Sequence, residues 1–208
     1  MPSASATACA GSAPRGRPRE FDPEEALASA LRVFWQKGYD GASMSDLTDA
    51  MGITKPSLYA CFGNKEALFR KALDLYERDK LCYVRSALEA PTARGVAERI
   101  LRGAVSAQCG DSDPQGCLGV ISTMACATEA ESIRNEVIAR RKSSEQAMIA
   151  RFERARDEGD LPDHVDPEGL ASFLTTVLQG LSVKATSGAD RKSLERAVET
   201  TLACWPCA

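Results

Sequence analysis

Apolar residues recur every three to four positions along most of the chain, from about residue 22 to about residue 205. This spacing is typical of amphipathic helices, whereas no sustained stretch of the sequence alternates apolar and polar residues as a β-strand does. Proline and glycine interrupt the pattern at intervals typical of loops. The sequence therefore predicts an all-α fold.

The first predicted helix has clear start and stop signals. Asp22 supplies an N-cap acceptor and Pro23 occupies the first helical position, with Glu25 as a carboxylate in the first turn. Gly38 ends the apolar pattern as a glycine just past the helix end. The following residues, Tyr39 to Ala42, are predicted to form a turn.

Two short helices follow, separated by a turn that contains glycine. Ser43 is placed to cap the first of them, with Asp46 as its capping-box partner, and Gly52 closes it. Thr54 is the N-cap of the second, which runs from Lys55 to Phe62. The lengths of these helices and the glycine-containing turn between them are typical of a helix-turn-helix.

The rest of the chain reads as longer helices joined by short connectors. A long helix begins at Lys65 and is first broken at Ala90–Thr92, and the following segment ends at Cys109. The remaining predicted elements are a loop over 110–116, an apolar helix from about Cys117, a charged helix over 133–158, and two final helices over 166–187 and 190–205.

Composition sets limits on the class of protein. The chain is 44% hydrophobic and 26% charged, which is ordinary for a globular protein. It contains no apolar run of the ~18–20 residues that a membrane helix needs, and residues 1–14 lack the features of a secretion signal. We expect a disordered leader with a basic end, no membrane association, a cytoplasmic location and eight cysteines that are mostly reduced thiols.

The net charge of −3 argues against a protein that coats nucleic acid by bulk charge. The local distribution of charge is more informative. Residues 50–65 contain Lys55 and Lys65 and no acidic residue, and a basic arm over 15–19 precedes the first helix. In the helix from Lys55 to Phe62, Leu58 and Phe62 share an inner face. The outer face then carries small side chains, a hydroxyl and a phenol, which a DNA major groove can admit.

These residues carry a family resemblance over about residues 20–70. The run Gly38–Tyr39, Ser43–Leu47 and Met51–Leu68 resembles the N-terminal domain of TetR-family transcriptional regulators. The resemblance implies a homodimeric repressor that binds a palindromic operator in double-stranded DNA and is released by a small effector. It implies a DNA-binding domain over 20–66 and an effector-binding and dimerisation domain over 67–208.

The resemblance also implies roles for single residues in the DNA-binding domain. Ser43 caps the second helix and touches a phosphate, while Tyr59 and Lys65 hold backbone phosphates. In the basic arm, Arg17 is a candidate minor-groove contact. The recognition helix, capped by Thr54, presents candidate base contacts at Lys55, Pro56, Ser57 and Ala60. Cys61 departs from the family, which more often has a large polar or aromatic residue there, so little base readout is expected from it.

The effector is expected to be small or reactive. Only Phe152, Phe173 and Trp205 among the aromatic residues follow Tyr83, so a pocket in this half would be built from aliphatic side chains and cysteine. The last two helices have broad apolar faces that either pair with a second subunit or close the core of one chain. The resemblance favours dimerisation through these helices.

Three cysteines fall within eighteen residues of the regulatory half: Cys109, Cys117 and Cys126. Asp113 and Pro114 repeat the cap-plus-proline pattern, which places Cys117 in the first turn of the next helix, where the helix dipole favours a thiolate. Ile121 and Met124 would share its face, whereas Cys126 would lie on the opposite side. Cys109 could approach Cys117 if the loop folds back.

Two interpretations of these thiols remain open. The segment Gly116–Leu118 resembles one found in TetR-family branches that include sensors of reactive electrophiles or metals, which makes the thiols candidate redox or effector sites. The alternative is that they are buried cysteines acting as small hydrophobic residues.

The sequence contains no pattern that indicates catalysis or a bound cofactor. Its single histidine, His164, lies in a polar connector, and it has no nucleophile motif, phosphate loop or metal-binding histidine pair. We therefore expect no enzyme activity, no cofactor and no metal site. The competing function is a helical small-molecule- or metal-binding protein in which the helix-turn-helix is only a packing motif.

Overall fold

The computed structural model describes residues 21–110, 113–124 and 130–206, and these ranges contain ten helices and no strand. The all-α prediction is confirmed. The helices are α1 (Pro23–Gly41), α2 (Met44–Met51), α3 (Lys55–Phe62), α4 (Lys65–Lys80), α5 (Cys82–Ala87), α6 (Ala93–Gln108), α7 (Leu118–Met124), α8 (Glu131–Asp157), α9 (Pro167–Thr186) and α10 (Arg191–Ala203).

The start signals of the first three helices act as predicted. The Asp22 carboxylate accepts a hydrogen bond from the Glu24 amide. Ser43 and Asp46 form a reciprocal capping box at α2, and Gly52 adopts the left-handed conformation after it. These caps satisfy backbone groups that a helix end leaves without intrahelical partners.

The predicted long helix after Lys65 is wrong in one respect, because it breaks at Leu81 into α4 and α5. No proline or glycine marks this point. The break instead accompanies a tertiary contact: the Tyr83 ring lies against Gly103 of α6, where a Cβ atom would come within 2.3 Å of Tyr83 Cδ2.

The apolar helix predicted from about Cys117 begins one residue later, but its predicted cap is wrong. Asp113 and Pro114 do not begin it; α7 starts at Leu118, so Cys117 is the residue before the helix. The Cys117 carbonyl accepts the hydrogen bond from the Ile121 amide, as an N-cap carbonyl does. The side chain of Asp113 is instead ion-paired with Lys80 at the end of α4, which removes it from any capping role.

The described residues form two hydrophobic cores. The first joins α1–α4 and includes the fully buried Phe34, Leu58 and Phe69, but it also takes in Leu118 of α7 and Ile133 of α8. The second core is built from α5, α6 and α8–α10. The segment around Cys117 therefore shares a core with α3, although the domain boundary at residues 66 and 67 stays a prediction.

Ion pairs reinforce the junction between α4 and the start of α8. Glu136 accepts hydrogen bonds from Arg70 at 2.5 Å and from Arg140 at 2.7 Å. Arg140 also reaches Asp74 and Glu77 on α4, at 2.7 and 3.0 Å. A network of this kind fixes two helices more firmly than isolated surface pairs do.

The last two helices bury most of their apolar residues within one chain. Leu174 of α9 and Leu194 of α10 are fully buried in the second core. Phe173 and Val183 of α9 remain exposed, at 47% and 43%. The apolar faces thus close the core of the chain and also leave large hydrophobic side chains at the surface of α9. In the described ranges, no helix is long and apolar enough to cross a membrane.

Candidate DNA-binding face and effector site

Helix α3 divides into a buried face and an exposed face. Leu58 is fully buried and Phe62 is nearly so, and both belong to the first core. The predicted base-contacting residues lie on the other side: Lys55, Pro56 and Ala60 are exposed and Ser57 is half-buried. Tyr59 is 49% exposed, which is unusual for a large aromatic side chain.

The first turn of α3 is held by its N-cap. Thr54 Oγ1 accepts the Ser57 amide at 3.3 Å, and the two hydroxyls lie 2.9 Å apart within hydrogen-bonding distance. The Ser57 hydroxyl is therefore oriented before any ligand arrives. Preorganised donors and acceptors lose less conformational entropy on binding.

Lys65 lies at the start of α4, immediately after the Asn64 cap. Its ammonium group stands over the Tyr39 ring, 4.5 Å from the centroid. Partial burial lowers the pKa of Lys65, and the nearby carboxylate of Asp40 opposes that shift. The cation–π contact restricts the side chain to one side of the helix-turn-helix.

Ser43 is exposed at the start of α2, but its hydroxyl is engaged by Asp46 Oδ2 at 2.7 Å. Asp46 is in turn held by Lys37 at 2.6 Å. The hydrogen bond from Lys37, followed by those from Ser43, holds the pKa of Asp46 well below its usual range. The start of α2 is thus a charged, hydrogen-bonded cluster.

Cys117 lies against two tyrosines. Buried Tyr76 and Tyr83 both lie near enough to the Cys117 side chain to interact with it electrostatically. Burial, followed by the neighbouring thiol, raises the pKa of both phenols, so both stay neutral near pH 7. A half-buried thiol beside two neutral phenols can attack an electrophilic small molecule, to which the phenol O–H groups can donate hydrogen bonds.

The other candidate residues of the thiol site pack against different cores. Ile121 packs with Cys117 against the first core, as the helical spacing predicts, whereas Cys109 packs against the second core. Cys109 and Cys117 are both free thiols. The side chain of Met124 and all of Cys126 lie outside the described residues, as does Arg17.

Sequence reasoning missed Tyr76 and Tyr83. The pocket was expected to lack aromatic walls because only aromatic residues after Tyr83 in the sequence were considered. Helices α4 and α5 instead bring these two tyrosines to Cys117. Gly103 could have indicated the position of Tyr83, because a glycine inside a helix lets an aromatic ring approach the backbone closely. Among the described side chains, no group of three or more metal-ligating residues is found.

Two family descriptions match the chain. "Bacterial regulatory proteins, tetR family" matches residues 26–72, and "Tetracyclin repressor-like, C-terminal domain" matches residues 92–201. The first match contains most of α1, all of α2 and α3 and the first half of α4, and the second extends from the start of α6 into α10.

Relatives and solved structures agree with these matches. The HTH-type transcriptional repressor ComR of Escherichia coli is 34% identical over 202 residues, covering 92% of this chain and 92% of that protein. BdcR of the same organism, also named as a repressor, is 30% identical over 83% of each chain. A cysteine-substituted variant of the regulator CifR, in complex with 26-bp operator DNA, has a TM-score of 0.87 and 43% identity over 92% of this chain and 100% of that one.

Proposed function

Because the chain belongs to the TetR family of bacterial regulatory proteins, we propose that it is a transcriptional repressor that binds a palindromic operator as a homodimer and leaves it when an effector binds. The observation that carries the proposal is the exposed face of α3. This face presents Lys55, Ser57 and Tyr59 outward, while Leu58 and Phe62 anchor the helix to the first core.

The proposal gives each exposed residue a role. Lys55, Pro56, Ser57 and Ala60 meet base edges in the major groove, because they are small or hydrogen-bonding residues at the exposed N-terminal part of α3. Tyr59, Lys65 and Ser43 hold phosphates, and Thr54 fixes the first turn of the helix. Arg17 is proposed to reach the minor groove from the leader.

Two half-sites require two copies of α3 at a fixed separation. We propose that the second copy pairs through the exposed side of α9, where Phe173 and Val183 are uncovered and Gly180 leaves open space beside the helix. Helix α10 packs next to α9 and completes the interface. Burial of exposed aromatic and branched side chains is the expected driving force.

The experiment that tests repressor function is selection of genomic fragments that the full-length protein retains, followed by anisotropy measurements on the shared sequence. We expect an inverted repeat, bound by a dimer, with affinity that falls steeply as salt rises. Lys55→Ala together with Ser57→Ala should abolish sequence preference, because these two residues are proposed to meet base edges. Retention of DNA without any preferred sequence, or no retention, would instead favour the competing function of a small-molecule- or metal-binding protein.

We further propose that the effector is a thiol-reactive small molecule and that Cys117 is the residue it modifies. The thiol adds across an activated carbon–carbon double bond: a carbon–sulfur bond forms, the S–H bond and the π bond break, and the proton is transferred to the neighbouring carbon. Tyr76 and Tyr83 support this step, because neutral phenols can donate hydrogen bonds to an oxygen that gains charge. The resulting adduct displaces side chains from the core shared by Leu118 and α3.

A matched pair of variants tests this effector proposal. Cys117→Ser should bind the operator normally and remain bound after treatment with N-ethylmaleimide, whereas the wild-type protein should be released. Cys82→Ser, which removes an exposed thiol on α5, should still be released. If the wild-type protein stays bound after mass spectrometry shows modified Cys117, a reversibly bound ligand replaces the thiol-reactive effector.

This function acts by binding, and we assign the chain no catalytic reaction. We propose that it acts in the cytoplasm, where the DNA that it is proposed to bind is found.

A further inference from the structure

A cleft of about 550 Å³ lies between α5 and α8, in the half of the chain built on the second core. Three arginines line it: Arg85 from α5, and Arg151 and Arg154 from α8. Leu88 and Ala150 supply apolar surface between them. The volume falls in the range of clefts that hold small molecules.

Arg151 is the unusual member of this set, because its side chain is only 6% exposed. Its guanidinium donates hydrogen bonds to the carbonyl oxygens of Leu88 at 3.2 Å, Ala90 at 2.7 Å and Pro91 at 3.1 Å. These bonds hold the turn between α5 and α6. The remaining nitrogen, Nη1, is buried and has no hydrogen-bond partner among the described residues.

No carboxylate in the described ranges forms an ion pair with Arg151. Buried charges in proteins are normally paired with an opposite charge, since carbonyl dipoles offset only part of the cost of burial. The charge of Arg151 therefore gives the floor of the cleft a positive potential. An anion in the cleft would supply the missing counter-charge.

The mouth of the cleft adds to this potential. Arg85 forms no ion pair with a described residue, and Arg154 approaches only Glu158, at 3.7 Å, with both side chains more than half exposed. Glu89 is the single acidic residue of the lining, so three positive charges face one negative charge. Guanidinium groups of this kind bind phosphate and carboxylate oxygens with paired hydrogen bonds.

We propose that the cleft between α5 and α8 is a binding site for a small multivalent oxyanion, a phosphate ester or a polycarboxylate. Arg85 and Arg154 hold the anion at the mouth, and Arg151 attracts it from below. Leu88 and Ala150 contact a short apolar part of the ligand. The site is separate from Cys117, which packs against the first core, and the proposal does not depend on the effector proposed above.

Isothermal titration of the full-length protein with inorganic pyrophosphate, and separately with citrate, tests the site. We expect saturable binding of one anion per chain, with the tighter probe identifying the ligand as phosphate-like or carboxylate-like. Arg85→Ala and Arg154→Ala should each weaken binding about tenfold, the scale of a lost charge-assisted hydrogen bond. Glu89→Gln should tighten binding, because it removes the negative charge from the lining.

Arg196→Ala is the matched control, since Arg196 is exposed on α10 and does not line the cleft. Binding weakened equally by this variant would show attraction to overall charge and would overturn the proposal, as would the absence of saturable binding for both probes. Arg151 is left unchanged because its substitution would disturb the turn that it holds. Thermal unfolding of each variant establishes that any lost binding is not lost folding.

Discussion

The indole Nε1–H of Trp35 donates a buried hydrogen bond to the carbonyl oxygen of Gly116, 3.1 Å away. It joins α1 to the segment directly before α7. The Trp35 ring also meets Tyr76 edge-on, with centroids 4.8 Å apart, and Tyr76 lies near enough to Cys117 to interact with it electrostatically. The proposed sensor thiol and the first helix of the DNA-binding half therefore share their neighbours, which gives an adduct at Cys117 a short route to α1.

Replacing Trp35 by Phe should destabilise the protein by about 1–3 kcal/mol, because the buried Gly116 carbonyl loses its donor. The aromatic contact with Tyr76 is largely kept. Urea unfolding measures the difference. Tyr59→Phe serves as the control, since it removes a hydroxyl from an exposed ring and should leave the unfolding midpoint unchanged. Equal stability of Trp35→Phe and wild type would mean that the hydrogen bond contributes nothing.

Gly116 is also confined on its other side. Its φ angle is +90°, and a Cβ atom there would lie 2.1 Å from Thr186 Oγ1 of α9. Gly116→Ala should therefore cost more than the ~1–2 kcal/mol of left-handed backbone strain alone. Gly110→Ala, with no atom within 4 Å of the added Cβ, should change stability by less than about 0.5 kcal/mol.

The double variant Gly116→Ala with Thr186→Ala separates the two contributions. Removing the Thr186 hydroxyl relieves the clash, while the positive φ angle remains, so stability should recover only in part. Full recovery would assign the whole cost to the clash. No cost in the single variant would show that the loop can move away from α9.

Local signals in the sequence predicted the helix-turn-helix well. Ser43 with Asp46, and Gly52, determine the ends of α2 through contacts a few residues apart, so the chain segment alone contains the information. The break at Leu81 was missed, and Asp113 was wrongly predicted as a cap, because both depend on distant residues: Tyr83 lies against Gly103, and Asp113 is ion-paired with Lys80. The two tyrosines beside Cys117 were missed for the same reason, because residues distant in the sequence come together there.

Glu136 makes stability depend on pH. Partial burial raises the pKa of Glu136, but hydrogen bonds from Arg140 and Arg70 outweigh this, so the pKa in the folded state lies below its ordinary value of 4.5. A lowered folded pKa stabilises the protein above pH 4.5, and this stability is lost as the pH falls through the folded value.

Glu136→Gln should therefore be less stable than wild type near neutral pH, and the difference should shrink below pH 4.5. Glu153→Gln provides the control, because Glu153 is exposed on the same helix and forms no ion pair with a described residue. Denaturant unfolding across this pH range measures both. A difference between Glu136→Gln and wild type that does not change with pH would assign the effect to helix packing instead of charge.

Lys65 should account for one phosphate contact in the operator complex. Each neutralised phosphate adds about 0.9 to the slope of log affinity against log salt concentration. Lys65→Ala should therefore reduce the slope by about one and weaken binding to all DNA sequences similarly. The cation–π contact with Tyr39 makes the loss larger than for a freely moving lysine, because the charge is already held in place.

Lys192→Ala, on α10 and away from α3, should leave the slope unchanged. If both variants keep the wild-type slope, Lys65 does not contact a phosphate and acts only by covering Tyr39.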